Sequence, residues 1–205
     1  MNRLRFTKIR DVKSPSRNHD GDAGLDFFIP TDLTLSQLQA ANAKSEIEIV
    51  NGENLVESAQ LCQGQPRVTV WLNENGYIES IGLSPLARVL IPSGIRVLID
   101  PKYSMLTAAN KSGLATKHGL IFTAQVVDSP YTGEVHIGVV NLGGGVTLVA
   151  GQKATQFIHV PIYHDILEEI SNEIYEQIAM DWGTRGNKGF GSGDNVKSET
   201  DNIWT

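Results

Sequence analysis

Arg88-Val-Leu-Ile-Pro-Ser-Gly-Ile-Arg-Val-Leu-Ile-Asp100 decides the fold class. Two short runs of branched apolar residues flank Pro92-Ser-Gly94, so the segment reads as two strands broken by a turn. Proline presets one turn dihedral there, and glycine accepts a positive φ. The same rhythm continues downstream. Strands are expected at Ile121 to Val127, Glu134 to Asn141, Val146 to Val149 and Thr155 to Pro161, bounded by Gly, Pro, Asn and Asp. Asp128 and Tyr131 then fall inside a hairpin. Several short strands with regular turn signals predict an all-β sandwich, jelly roll or barrel rather than a parallel α/β sheet.

Three regions depart from that rhythm. Residues 36–83 are more polar, with a short helix expected at Ser36 to Lys44. A hairpin-like unit follows, Val68-Thr-Val-Trp-Leu and Tyr77-Ile-Glu-Ser-Ile around the turn dipeptide Asn75-Gly76. This region reads as an insertion on the core of a single domain, 1–205. In Asp165 to Ile178, isoleucines recur at 166, 170, 174 and 178, and Asp165 with Glu168 can cap a helix start. A strand from Ile166 to Ile170 before a shorter helix fits the same spacing. Residues 183–205 are glycine-rich and polar, a composition that buries too little apolar area to offset its ordering entropy. They read as a mobile C-terminal arm.

Composition bounds the chemistry. At 205 residues, 22.3 kDa and 40% hydrophobic residues, the chain can bury one sizeable core. A net charge of −6 argues against nucleic acid as the main partner, because phosphate-backbone affinity rests on surplus Lys and Arg. Any phosphate site must therefore be local. The single Cys62 forms no internal disulfide, which suits a reducing compartment. The N-terminus lacks an apolar signal core, and no stretch approaches the roughly 20 apolar residues of a membrane span. A soluble, cytoplasmic protein is expected.

Several segments carry residues suited to chemistry, each with an ordinary structural alternative. Lys111-Ser-Gly113 joins a cation, a hydroxyl donor and a glycine that permits close approach; by itself it is also a common surface turn. Asp128 ends an apolar run, where a carboxylate can take a proton from water or simply cap a turn. Tyr131 can be a core residue or a wall against a sugar. Gln156 is polar among residues that look core-bound. In the tail, Gly186, Gly189, Gly191 and Gly193 leave backbone N–H groups unshielded beside Arg185 and Ser192, a set that can wrap a polyphosphate. Phe190 among them can stack on a planar base. The five histidines show no metal-ligand spacing, and there is no nucleophile elbow.

Taken together, the segments resemble the trimeric dUTPase family, which splits dUTP into dUMP and pyrophosphate. Five family motifs stand in family order: Ala23-Gly-Leu-Asp-Phe27, Lys111-Ser-Gly-Leu-Ala115, Val127-Asp-Ser-Pro-Tyr-Thr-Gly-Glu134, Gly151-Gln-Lys-Ala-Thr-Gln-Phe-Ile158 and Arg185-Gly-Asn-Lys-Gly-Phe-Gly-Ser192. The resemblance implies a jelly-roll-like β-clip fold and a homotrimer with active sites shared between subunits, each closed by a C-terminal arm. It implies that Asp128 activates the water that attacks the α-phosphorus, and that Tyr131 packs on deoxyribose and excludes a 2′-hydroxyl. Backbone groups of Ala124, Gln125, Val126 and Val127 would read the uracil edge. Lys111, Ser112, Gly113 and Gln156 would hold the phosphates, with Arg185, Gly191 and Ser192 closing from the arm and Phe190 stacking on the base. Asp26 would face a Mg²⁺–triphosphate unit through water.

The chain departs from the family pattern at Lys111, commonly arginine; at Gln125, commonly glycine; at Pro130, commonly acidic; and at Gly193, commonly threonine. Lys111 keeps the charge and loses the bidentate fork. Two other functions compete. The related dCTP deaminases resemble a site with a glutamate in the strand after the hairpin, where this chain reads Val135-His-Ile-Gly-Val139. A nucleotide-binding regulatory module would contact a protein partner through the 36–83 segment or the last residues.

Overall fold

The computed structural model describes residues 3–44, 48–52, 65–100 and 102–183. The chain divides into two units, Met1–His164 and Asp165–Thr205. Among the described residues the first contains twelve strands and two short helices: β1 Arg3–Lys8, β2 Gly24–Phe28, α1 Leu35–Ala41, β3 Glu48–Asn51, β4 Arg67–Leu72, β5 Ile78–Leu83, β6 Arg88–Asp100, β7 Ser104–Ala109, α2 Ser112–His118, β8 Leu120–Thr123, β9 Val126–Asp128, β10 Glu134–Asn141, β11 Val146–Val149 and β12 Lys153–Pro161. The second contains α3, Asn172–Trp182. The all-β expectation holds. The strands form three four-stranded sheets, ordered β1-β6-β10-β8, β11-β5-β4-β3 and β2-β12-β7-β9.

Alternation drives the layering. In β10, Val135, Ile137 and Val139 are buried, and in β4 Val68 and Val70 are buried with more accessible residues between them. These side chains join one core with Phe27, Leu106, Phe122 and Phe157. The Phe27 and Phe157 rings meet at 4.6 Å between centroids, tilted 58°. Each such fully buried side chain contributes about 1.5–3 kcal/mol. The stretch expected as an insertion reaches this core as well, through Leu38, Val68, Val70, Ile78 and Ile81. Its helix and hairpin form as expected. Thr34 and Gln37 make a reciprocal capping box at the start of α1, and Gly76 takes φ 78° in the β4–β5 turn.

Three expectations need correction. Pro92-Ser-Gly94 does not break the chain into two strands: β6 runs unbroken from Arg88 to Asp100. Its pairing with β10 jumps from Glu134↔Arg96 to His136↔Pro92, so Val135 faces three residues of β6 in a wide irregularity. Pro92 sits at that irregularity, where its missing N–H costs no ladder bond. Gly94 takes φ 73° with its carbonyl accepting from Ile9 N at 2.8 Å. The second correction splits the strand expected over Ile121 to Val127 at Ala124 (φ 54°) and Gln125. β8 pairs with β10, whereas β9 leaves that sheet and pairs with β7. The hairpin expected around Asp128 is therefore β8–β10, with β9 as an excursion between its arms. Third, residues 162–171 are neither helix nor strand, and α3 starts at Asn172. Ser171 caps it by accepting from Ile174 N, in place of Asp165 with Glu168.

Among the described residues no helix is long and apolar enough to cross a membrane.

Candidate active site

The sheet β2-β12-β7-β9 brings three of the quoted motifs into register. Gln156 on β12 stands opposite Asp26 on β2 and Ala109 on β7. Its amide Nε2 donates to the Asn110 carbonyl at 3.1 Å, and Asn110 Oδ1 accepts from Phe122 N at 2.8 Å, tying the end of β7 to β8. Lys111-Ser-Gly113 is not a surface turn. Lys111 is the N-cap of α2, whose first residues are Ser112 and Gly113. The helix ends at Gly119, which adopts a left-handed conformation at φ 69°.

Asp26 lies beneath this arrangement, 3% exposed. Lys111 Nζ approaches its Oδ1 at 2.5 Å and Lys153 Nζ its Oδ2 at 2.7 Å. Lys153 also donates to Asn18 Oδ1 at 2.9 Å. Burial pushes the Asp26 carboxyl upward, but hydrogen bonds and charge from Lys111 and Lys153 outweigh it and hold the group below the ordinary carboxylate value. Above the pair opens a cleft of about 390 Å³ lined by Lys111, Ser112, Gly113, Leu114, Lys117, His118, Lys153 and Gln156. Three ammonium groups and a hydroxyl around one cleft suit a polyanion, despite the negative charge of the whole chain.

Sequence reasoning missed His118 and Lys153. Lys153 stood inside a quoted motif, but it lies three positions before Gln156, and in a regular strand that odd spacing places side chains on opposite faces. The pairing of β12 with β2 shifts register between Lys153 and Thr155, and both side chains reach the cleft.

A second cluster surrounds Asp128, which is exposed at the end of β9. Tyr131 N donates to the Asp128 carbonyl at 3.0 Å, closing a turn. Side chains anchor that turn from several sides: Ser129 Oγ donates to Lys102 O at 2.7 Å, Arg96 Nε to Thr132 O at 2.8 Å, and the Tyr131 hydroxyl to Glu134 O at 2.7 Å. Pro130 occupies the turn's exposed third position. Upstream, the Gln125 carbonyl accepts from Ala108 N at 2.7 Å, and the Gln125 amide reaches back to Phe122 O at 3.4 Å. Val127 is buried, and Ala124, Gln125 and Val126 are exposed. Because β9 is an edge strand, backbone groups on its outer side have no strand partner among the described residues.

The two clusters lie apart in one chain. Asp128 pairs with Met105, and Gln156 pairs with Ala109, four residues further along β7. At a rise of about 3.3 Å per residue that is about 13 Å. The arm residues Arg185, Phe190, Gly191 and Ser192 lie outside the described residues.

Among the described residues no group of three or more His, Cys, Asp or Glu could hold a metal ion. Both Asp26 oxygens already accept from lysines. The donor set therefore fits a cation that arrives on substrate phosphates and keeps its waters, as Mg²⁺ commonly does, rather than one in a protein cage.

The dUTPase family model matches residues 79–193, more than half of the chain. The chain is 32% identical over 151 residues to a deoxyuridine 5′-triphosphate nucleotidohydrolase of Fusobacterium nucleatum, covering 72% of this chain and 96% of that protein. It is 37% identical over 115 residues to one of Finegoldia magna, covering 54% and 74%. Among solved structures, the dUTPase of Staphylococcus bacteriophage 80alpha with dUPNHPP superposes with a TM-score of 0.62 at 18% identity, covering 94% of this chain and 98% of that one. A mutant dUTPase from phage phi11 of S. aureus, described with a structural Mg(II) ion, gives a TM-score of 0.56 at 18% identity, covering 83% and 98%. The solved structures bear out the jelly-roll-like β fold. The order of motifs, the family match and the relatives agree, and this chain belongs to the dUTPase family.

Proposed function

We propose that the chain hydrolyses dUTP to dUMP and pyrophosphate. The observation that carries this reading is the cationic cleft over the Asp26 pair, set in the same sheet as a turn bearing an exposed carboxylate and about 13 Å from it along β7. Lys111, Ser112, Gly113 and Gln156 hold the phosphates. Asp128 orients a water and takes its proton as the water attacks the α-phosphorus, with no covalent intermediate. Tyr131 lies against the sugar, and the open edge of Ala124, Gln125, Val126 and Val127 pairs with the uracil. A site built for one donor and acceptor pattern leaves groups unpaired with another base. Arg185, Gly191 and Ser192 close over the phosphates, and Phe190 stacks on the base. Mg²⁺ bound to the triphosphate, faced by Asp26 through water, supplies charge neutralisation at the phosphates.

The separation of the two clusters supports a homotrimer in which a phosphate cleft of one subunit meets an Asp128 turn of another. We place the enzyme in the cytoplasm, as a single domain elaborated at 36–83 and extended by an arm at 183–205. The test is a panel of deoxynucleoside and ribonucleoside triphosphates with and without Mg²⁺. Pyrophosphate from dUTP alone, dependent on Mg²⁺, is expected; ammonia from dCTP would overturn the assignment.

A second reading adds a protein partner at 36–83. It draws on the structural likeness to a phage dUTPase described as controlling transfer of virulence genes, a likeness that spans 94% of this chain. Deleting the exposed part of that segment should then leave dUTP turnover intact and abolish binding to the partner.

A further inference from the structure

The Asp128–Tyr131 turn is held by a residue that the hydrolytic reading does not use. Arg10 Nε and Nη2 donate to Glu134 Oε1 and Oε2 at 3.0 and 3.1 Å, a two-pronged pair of which both side chains are about 15% exposed. Glu134 Oε1 also accepts from Gly94 N at 2.7 Å. Three hydrogen bonds thus fix one carboxylate against the β6 irregularity. Charge-assisted, two-pronged geometry of this kind carries directional precision as well as energy.

The main chain of the same residue carries Tyr131. The Glu134 carbonyl accepts from the Tyr131 hydroxyl at 2.7 Å and from His136 Nδ1 at 2.9 Å, using both lone pairs. The phenol tip also lies so close to Gly133 that a Cβ there would meet the Tyr131 hydroxyl and ring carbons. The ring therefore rests over a residue without a side chain, its tip bonded to a carbonyl whose position is set through Arg10 and Gly94.

We infer that Arg10 and Glu134 are positioning residues that set the sugar selectivity of the site by fixing the Tyr131 ring. The inference rests on the reading of Tyr131 as the wall against deoxyribose. A ring held at its tip leaves a fixed gap, and rejection of a 2′-hydroxyl depends on that gap not opening. A ring free to tilt admits the ribonucleotide while still covering the deoxyribonucleotide. The signature is a change in discrimination rather than a general loss of rate.

The test compares kcat/KM for dUTP and for UTP in the full chain carrying Glu134→Ala, Glu134→Gln, Arg10→Met, Tyr131→Phe, Tyr131→Ala and the Glu134→Ala/Tyr131→Phe pair. Glu134→Ala and Tyr131→Phe are each expected to lower the dUTP-to-UTP ratio by about tenfold, mainly through a lower KM for UTP. The double variant should match either single one, because both break one link. Glu134→Gln, which keeps an acceptor for Gly94 N, should fall between wild type and Glu134→Ala and retains a fold if the alanine variant does not. An unchanged ratio in Glu134→Gln and Arg10→Met, with Tyr131→Ala lowering it, would overturn the inference and leave the sugar-wall reading standing. An unchanged ratio in Tyr131→Ala would instead remove the sugar-wall reading, and the inference with it.

Discussion

Lys111 Nζ lies 2.5 Å from Asp26 Oδ1, joining the N-cap of α2 to a strand 85 residues earlier in the chain. This contact holds the start of α2 over β2 and sets the floor of the phosphate cleft. Lys153 completes it from β12. A carboxylate buried to this extent persists as a charge because two ammonium groups meet it, and each ammonium keeps its position because the carboxylate does.

Asp26→Asn should destabilise the fold by about 2 kcal/mol at neutral pH, since the amide offers one acceptor where two were used. The pH dependence follows from the direction of the shift. With the folded-state value below the ordinary 3.8, the stabilisation is present above that value and is lost as pH falls through the folded-state value. Urea unfolding of wild type and variant should therefore differ at about pH 6 and converge as the pH falls through the folded-state value.

Gly24→Ala should act on substrate binding. A Cβ at position 24 would fall on the Gln156 side-chain amide, displacing it from Asn110 O. KM for dUTP is expected to rise by about tenfold with kcat little changed, measured by steady-state pyrophosphate release.

Lys153→Met removes one cleft cation and one partner of Asp26. Loss of a charge-assisted phosphate contact of about 1.5–3 kcal/mol corresponds to about a ten- to hundredfold fall in kcat/KM for dUTP. The residual activity should depend less steeply on salt than that of wild type.

Gly94→Ala tests the β6 irregularity. At φ 73° an alanine is strained, and its Cβ would meet Arg10 Cβ at 2.9 Å. A destabilisation of about 2 kcal/mol is expected in urea unfolding, with Tyr131 reporting loosened packing by near-UV dichroism.

Much of this architecture is legible in the sequence because alternation and turn residues act locally. β10 and β11 have the bounds that their Val and Ile patterns predict, and the β4–β5 hairpin follows from Asn75-Gly76. The failures have physical causes. Pro92-Ser-Gly94 carries turn chemistry, but β10 pairs on both sides of it and β1 pairs from Ile95 onward, which converts the turn into an irregularity within one strand. Residues 121–127 carry no turn residue, and the positive φ of Ala124 that redirects them has no signal in a residue that rarely adopts that conformation. Helix α2 lacks an apolar stripe, and its one clear mark was Gly119 at the C-terminus. At the site, Lys111, Ser112, Gly113 and Gln156 were legible as motif residues. Lys153 was not, because the irregularity that turns it toward Gln156 is set by β2, more than 120 residues away in sequence.

The most direct measurement is single-turnover pyrophosphate release from dUTP by Asp128→Asn, paired with equilibrium binding of a non-hydrolysable dUTP analogue. Asn keeps the turn geometry and removes the proton acceptor. The account predicts a fall in release rate of about a thousandfold or more with analogue affinity within about threefold of wild type. Near-normal release by the variant would contradict the assignment of Asp128 to water activation.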